Sequence, residues 1–470
     1  MIMNRPGIEQ FSFECLLNNK NEWVVSFSAD ESLNWSQLRR QVFLLRTKLN
    51  NAQYKRWVLA CDSSRLFMVG LLALIAAKKE IILAPNNLAG TLSESIQGAQ
   101  AFLTDLNIDT DLPIVNLSMV NLSNTMGEPE YDDIRIEPES QFIQICTSGS
   151  SGKPKQVRKS LATFESEIQC LERHWGKLVS NKVVISTVSH QHIYGLLFRL
   201  LWPLMARHAF VEENVEYPEQ ISALAKNYGE MILISSPAYL KRMADVLCKN
   251  VMQERVKAVF SSGGPLQSDT AILYTEHFST TPIEVLGSTE TGGIAYRQQY
   301  AQQEALWRKF DEVQIRREPE NSALMVKSPF CFCRDWYEMG DAVELVSDGT
   351  FKLLGRLDRI VKLEEKRISL DQMETILAQN ELVEQAKIAV LHGHRTILGG
   401  VCILSESGMR LLAQRGRRDF SEQLRAFMAY YFERVTLPRK WRYVPDFPYN
   451  SQGKLTQADL ARLFDEKPHD

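Results

Sequence analysis

FIQICTSGSSGKPKQVRKS, residues 142–160, runs from an apolar strand pattern into a loop of glycines, hydroxyls and lysines and out again. Gly149 and Gly152 let the backbone turn tightly with its N–H groups converging. The hydroxyls of Thr147, Ser148, Ser150 and Ser151, with the ammonium groups of Lys153 and Lys155, complete a cradle suited to phosphate. The loop is not a Walker A motif, because Thr147 stands at the first glycine position of G-x-x-x-x-G-K-[ST] and Pro154 follows Lys153. A plain Ser/Gly surface turn is the alternative reading of the string taken alone.

Outward from this loop, short β-branched runs end in Gly, Ser or Pro and pass into helical patterns: KVVIST (182–187), EMILISSP (230–237) and RVKAVFSSGGP (255–265). That alternation predicts α/β layers with parallel sheet. After 237, Leu240, Met243 and Leu247 recur as on one helix face. From Ala323 to Leu354 the pattern changes to short strands with Gly and Asp turns, which predicts antiparallel hairpins. A domain edge is expected at Gly355. The stretch 356–470 carries helical patterns around SLDQMETILAQ and FSEQLRAFMAYYFERV, and strands near QAKIAVLHG and GGVCILS. The expected fold is α/β: a large N-terminal domain (1–355) of layered α/β subdomains plus a β-hairpin region, and a small α+β C-terminal domain (356–470).

Composition removes several function classes. With 470 residues, 44% hydrophobic and 24% charged, the chain exceeds one compact core. The 54 Lys+Arg against 57 Asp+Glu leave a formal charge of −3, so no global field draws the molecule to nucleic acid or an anionic bilayer. Eight scattered cysteines without CxxC repeats point to a reducing cytoplasm, and MIMNRPGIEQ lacks the apolar core of a signal peptide. The longest apolar run, Leu66 to Ala77, is shorter than the roughly 20 residues that span a bilayer and predicts a buried helix.

TSGSSGKPK resembles the phosphate loop of the adenylate-forming superfamily of acyl-CoA synthetases, peptide-synthetase adenylation domains and luciferases, and further motifs follow in that family's order. SSGGPL (261–266) is similar to the adenine loop, with Gly263, Gly264 and Pro265. GSTETG (287–292) resembles the segment whose Thr and Glu meet phosphate and Mg²⁺. WYEMGD (336–341) is similar to the motif ending in the ribose-binding Asp. GRLDRIVKLEEKRISLDQME (355–374) resembles the hinge, and PYNSQGKL (448–455) the loop with the catalytic lysine. The resemblance runs from about LNWSQL, near residue 35, to 455. It implies ATP and Mg²⁺ as cofactors, a mobile C-terminal domain, and a ligase that forms acyl-AMP from an aryl or fatty acid and passes the acyl group to a pantetheine thiol. The favoured acceptor is an acyl-carrier protein, the alternative coenzyme A. A non-catalytic nucleotide-binding regulator is the rival of another class.

Carried over residue by residue, Lys454, Glu290 and Thr289 are the expected catalytic set, with Glu290 holding the metal. Thr147, Ser148, Gly149, Ser150, Ser151, Gly152 and Lys155 would hold phosphate, Leu286, Gly287 and Ser288 would border the nucleotide, and Asp341 and Arg356 would meet the ribose and nucleotide. His192 and Gly195 would line the acyl pocket, where a packed core histidine is the competing reading of His192, and Asp358 would be the hinge. The absence of Asp and Glu from Thr187 to Phe210 disfavours an amino-acid substrate, whose ammonium needs a buried anion. Cys331 and Cys333 are expected as same-face core residues rather than metal ligands. Three departures stand out: Leu286 where the family has an aromatic ring over adenine, Met339 beside Asp341 where it has Thr, and Glu364–Glu365 where it has Lys or Ser followed by Gly. Those two carboxylates would repel the phosphates of coenzyme A, while basic residues such as Arg367, Arg439 and Lys440 would meet a carrier protein.

Overall fold

The computed structural model of the chain describes residues 7, 10–29, 31–88, 92, 97–120, 131–147, 155–244, 246–347, 349–363, 366–392, 396–449 and 455–465. Two compact units interleave along the sequence. The first takes 1–315, 326–337 and 347–350, and the second 316–325, 338–346 and 351–470, so the second unit reaches back before the edge expected at Gly355.

The first unit is mixed α/β. Its N-terminal strands are β1 (Val24–Phe27) and β2 (Ser32–Asn34). Six strands form one sheet: β3 (Arg56–Ala60), β4 (Glu80–Leu83), β5 (Ala101–Thr104), β6 (Ile114–Asn116), β7 (Phe142–Thr147) and β8 (Lys155–Ser160), in the order β6-β5-β3-β4-β7-β8. Its pairings are parallel except for the β7–β8 hairpin, in which Thr147 faces Lys155 across the phosphate-type loop. The apolar run before Lys78 becomes helix α1 (Ser64–Ala76), whose side chains from Phe67 to Ala76 are buried with no polar face turned to solvent. Ser63 caps it by accepting the Leu66 N–H at 3.2 Å. No helix among the described residues is long and apolar enough to cross a membrane.

Helix α2 (Leu161–Val179) leaves β8 directly. A second sheet follows, with β9 (Val183–Ser186), β10 (Phe210–Val211), β11 (Met231–Ser235), β12 (Val256–Ser261), β13 (Ile283–Ser288), β14 (Gly292–Arg297) and β15 (Trp307–Lys309). In this unit the order is β15-β14-β13-β12-β11-β9-β10-β1-β2. The runs expected as parallel strands are β9, β11 and β12, and they pair in parallel, extended by β13. β11 is buried at all five positions, as a strand covered on both faces must be. The helical pattern after 237 differs from expectation: the helix closes at Met243 and a separate one spans Lys249–Arg255, while Leu240, Met243 and Leu247 still share one core with β11 and β12.

The strands β16 (Gln314–Arg317), β17 (Ala323–Lys327), β18 (Tyr337–Ser347) and β19 (Thr350–Arg356) lie side by side in that order, and their stretches 316–317, 323–325, 338–346 and 351–356 belong to the second unit. The hairpin β20 (Ile360–Leu363) and β21 (Lys366–Ser369) follows, then helix α3 (Leu370–Ala378), capped by Ser369 on the Gln372 N–H. β22 (Val383–Leu391), β23 (Ile397–Leu404) and β24 (Lys440–Tyr443) make a three-stranded sheet. Helix α4 (Glu406–Met428) starts well before FSEQLRAFM and stops at Met428, leaving AYYFERV outside it, and is interrupted at Gly416 (φ 75°). Met373, Leu377, Ile388, Phe420, Leu424 and Met428 close the core of this unit. Glu374, buried there, is satisfied by Arg359, by Lys387 at 2.8 Å and by the Ile388 N–H at 2.8 Å.

Candidate active site

Parallel strands β9, β11, β12 and β13 bring their carboxyl ends together, the edge at which open α/β sheets hold ligands. That edge receives the segments 189–195, 261–266 and 287–292. In the segment 261–266, Ser262 donates to the Val285 carbonyl at 2.8 Å and the Leu266 N–H donates to Glu284 at 3.2 Å, so the loop is tied to β13 at both ends. Gly263 has φ +91°, with open space where a side chain would begin, and Gly264 approaches Pro237. Leu286 is half-buried at the end of β13, an apolar surface where a ring was expected to be missed.

The tip of the β13–β14 hairpin carries Thr289 and Glu290. Gly287 pairs with Gly293 and Ser288 with Gly292, and a Cβ on Gly287 would run into the Gly292 carbonyl, so the close turn demands glycine there. The hydroxyls of Ser288 and the buried Thr291 lie 3.1 Å apart inside the turn, and the Glu290 carbonyl accepts the Phe332 N–H at 2.9 Å. Lys155, first residue of β8, donates to Glu290 Oε1 at 2.6 Å and to the Tyr337 hydroxyl at 3.4 Å. Partial burial pushes the Glu290 carboxyl up, but hydrogen bonds from Lys155, its own backbone N–H and Ser288 outweigh it and hold the group below the usual carboxylate range. The hydrogen bond to Glu290 raises the Lys155 ammonium in turn. The geometry therefore joins the far side of the phosphate-type loop to the Glu290 tip. Thr147, at the near side, donates to the Lys155 carbonyl at 3.3 Å.

Magnesium is a hard ion that takes oxygen ligands and keeps phosphates and waters in its shell. Glu290 fits it, being an ionised oxygen donor that already carries one cation, the Lys155 ammonium. Among the described residues Cys170, His174 and Glu312 also bring three possible metal ligands within 4.8 Å, but the Glu312 oxygens are engaged by Arg173 and by the Cys170 thiol.

Other expected residues fall elsewhere. Ser148, Gly149, Ser150, Ser151, Gly152, Lys454 and the pair Glu364–Glu365 lie outside the described residues. Asp341 and Arg356 belong to the second unit, with Arg356 Nη1 3.7 Å from the Asp341 carboxylate, and Asp358 sits in the 3-10 turn Leu357–Arg359. Met339 is buried, 4% exposed. Gly195 is buried where a Cβ would strike the Ser189 carbonyl. The competing reading of His192 as a core histidine is corrected: His192 is exposed, and the buried one is His190, whose ring packs on Phe67 at 4.6 Å and reaches the Cys61 carbonyl at 3.0 Å. Burial, helped by Arg199, lowers His190 to about 3 and keeps it neutral. The expectation that Cys331 and Cys333 are both core residues is also corrected, since they lie in bends rather than a strand, Cys331 buried and Cys333 half-exposed, with sulfurs 3.5 Å apart. Tyr337 was missed as a partner of Lys155, although it stands inside the WYEMGD motif.

The family model described as AMP-binding enzyme matches residues 94–313. The chain is 24% identical over 329 residues to 4-coumarate–CoA ligase of Cereibacter sphaeroides, covering 68% of this chain and 71% of that one. It is 23% identical over 469 residues to anthranilate–CoA ligase of Pseudomonas aeruginosa, covering 88% of each. The structure of O-succinylbenzoate coenzyme A synthetase from Bacillus subtilis in complex with AMP superposes with a TM-score of 0.78 at 14% identity, over 96% of this chain and 98% of that one, a likeness of fold.

Proposed function

We propose that this chain, which belongs to the adenylate-forming superfamily, activates a carboxylic acid with ATP as acyl-AMP, releasing pyrophosphate, and then transfers the acyl group to a pantetheine thiol. The observation that carries the reading is Lys155 on Glu290 at 2.6 Å, which unites the phosphate hairpin and the GSTETG tip at the carboxyl ends of the parallel strands. In this reading the backbone and hydroxyls of the 147–152 loop bind the phosphates, and Thr289 donates to them. Glu290 would hold Mg²⁺, which when bound would offset phosphate charge. Lys155 leaves Glu290 and turns its ammonium to the phosphates, Asp341 accepts from the ribose hydroxyls, and Lys454 stabilises the charge that gathers as the carboxylate attacks phosphorus.

Coenzyme A is the acceptor that the names of the relatives support, and they lend nothing to the carrier-protein preference drawn from Glu364 and Glu365. One observation keeps the carrier as a second reading. In the second unit a groove of about 410 Å³ is lined by Arg417, Arg418, Arg425 and Arg439 with Ser421, Glu422, Trp441 and Tyr443; Glu422 pairs with Arg425 at 3.3 Å, and the net positive lining suits an acidic protein. The test is carboxylate-dependent ATP–pyrophosphate exchange over aryl, fatty and amino acids, followed by transfer from preformed acyl-AMP to coenzyme A and to carrier proteins at matched concentration. Exchange with aryl or fatty acids is expected. ATP binding without exchange for any acid would favour the non-catalytic regulator, and faster transfer to a carrier would select the second reading.

A further inference from the structure

The first unit buries an ion pair beside the Glu290 tip that the proposed chemistry does not use. Lys159 is fully buried, and among the described residues its Nζ has no hydrogen-bond partner. Glu167 Oε2 lies 4.0 Å away, on a side chain 3% exposed. Burial pushes the lysine down and the glutamate up, and placing two charges there costs several kcal/mol per ion before their attraction offsets it. A pair of apolar side chains would fill such a position with less penalty, so the pair calls for a role beyond packing.

Glu167 has a defined target. Its Oε1 accepts the Gly293 N–H at 2.6 Å, and its carboxylate packs so closely on Gly292 (φ +68°) that a Cβ would collide with it. Gly292 and Gly293 are the residues that pair with Ser288 and Gly287 to close the turn presenting Glu290. Lys155 and Lys159 stand four residues apart in β8, and side chains at i and i+4 of a strand share a face. One strand therefore sends an exposed ammonium to the carboxylate at the tip and a buried ammonium to the carboxylate that holds the base of the tip.

We propose that Lys159, acting through Glu167, is a positioning residue for Glu290, fixing the Gly292–Gly293 base of the turn and tying it to the strand that leaves the phosphate loop. The inference rests on the reading of Glu290 as the metal carboxylate.

The full chain is tested with Mn²⁺ as probe, its binding in the presence of ATP read by electron paramagnetic resonance beside steady-state exchange kinetics. Lys159→Met should raise the Mn²⁺ concentration for half-saturation by about fivefold, the scale of one net hydrogen bond, with the KM for the carboxylic acid unchanged. Adding Glu167→Gln removes the second buried charge while its amide oxygen still accepts from Gly293, and should restore binding toward the unmutated value. Unchanged Mn²⁺ binding in Lys159→Met, or no recovery in the double variant, would overturn the proposal and leave the pair a packing element. If Lys159→Met does not fold, Lys159→Met/Glu167→Gln is compared with Lys159→Met/Glu167→Leu, and equal Mn²⁺ affinity of the two overturns it. Glu290→Gln separates the two ideas. Unaltered Mn²⁺ binding there removes the metal role and this proposal with it, whereas weakened binding there beside normal binding in Lys159→Met overturns the proposal alone.

Discussion

Replacing Lys155 by Met should have opposite effects on metal binding and on turnover. The Lys155 ammonium occupies Glu290 Oε1 at 2.6 Å, with side chains 53% and 15% exposed. Two unit charges at 4 Å attract by about 1 kcal/mol in water and about 4 kcal/mol at an effective dielectric constant near 20. The exposed lysine end places this pair toward the aqueous limit, where measured ion pairs contribute about 0.2 to 1 kcal/mol. That is the competition a metal ion must overcome, so Lys155→Met should tighten Mn²⁺ binding without nucleotide by up to about fivefold. With ATP present the same variant lacks the cation proposed to turn to the phosphates, and carboxylate-dependent pyrophosphate exchange should fall by a factor on the order of 10², the scale of one transition-state contact. Mn²⁺ titration by electron paramagnetic resonance and exchange measured on the same preparation decide the matter. Weaker or unchanged Mn²⁺ binding combined with normal exchange would refute the idea that one carboxylate serves the lysine and the metal in turn.

Lys454→Ala should lower acyl-AMP formation by about 10² to 10³ while preformed acyl-AMP is still consumed by the thiol; equal loss in both half-reactions would make Lys454 structural. Gly287→Ala forces a methyl group toward the Gly292 carbonyl and should cost about 1 to 3 kcal/mol in chemical denaturation together with the exchange activity; normal stability would show that the turn opens freely. Glu165 accepts the Phe13 N–H at 2.8 Å, and burial raises its carboxyl from 4.5 to about 7. Because the folded value lies above the unfolded one, its contribution is whole below pH 4.5 and is lost as pH rises through about 7. Glu165→Gln should therefore be more stable to chemical denaturation than the unmutated protein at pH 8, by at most about 3.4 kcal/mol, with the gap closing near pH 4.5, and a pH-independent gap would remove the titration.

The local order of elements was legible in the sequence because it depends on neighbours along the chain. β9, β11 and β12 announce themselves as short β-branched runs closed by Ser, Gly or Pro, and their parallel pairing follows from the helices between them. Ser63 and Ser369 sit where hydroxyl caps belong, Gly263 of SSGGPL takes the positive φ that favours glycine, and Gly287 and Gly292 of GSTETG close a turn that leaves no room for a Cβ. Other features required the folded chain, since they join residues far apart in sequence. Nothing near Lys155 announces Glu290 or Tyr337, 135 and 182 positions away, and only the packing of the β7–β8 hairpin against the β13–β14 tip brings them together. Burial likewise chose between two histidines separated by one residue, placing His190 against Phe67 and leaving His192 exposed. Lys159 reads in sequence as a solvated charge in QVRKS, the ordinary fate of a lysine. It is buried because its strand turns that face inward onto Glu167, and strand alternation fixes which residues share a face without saying which face meets the core.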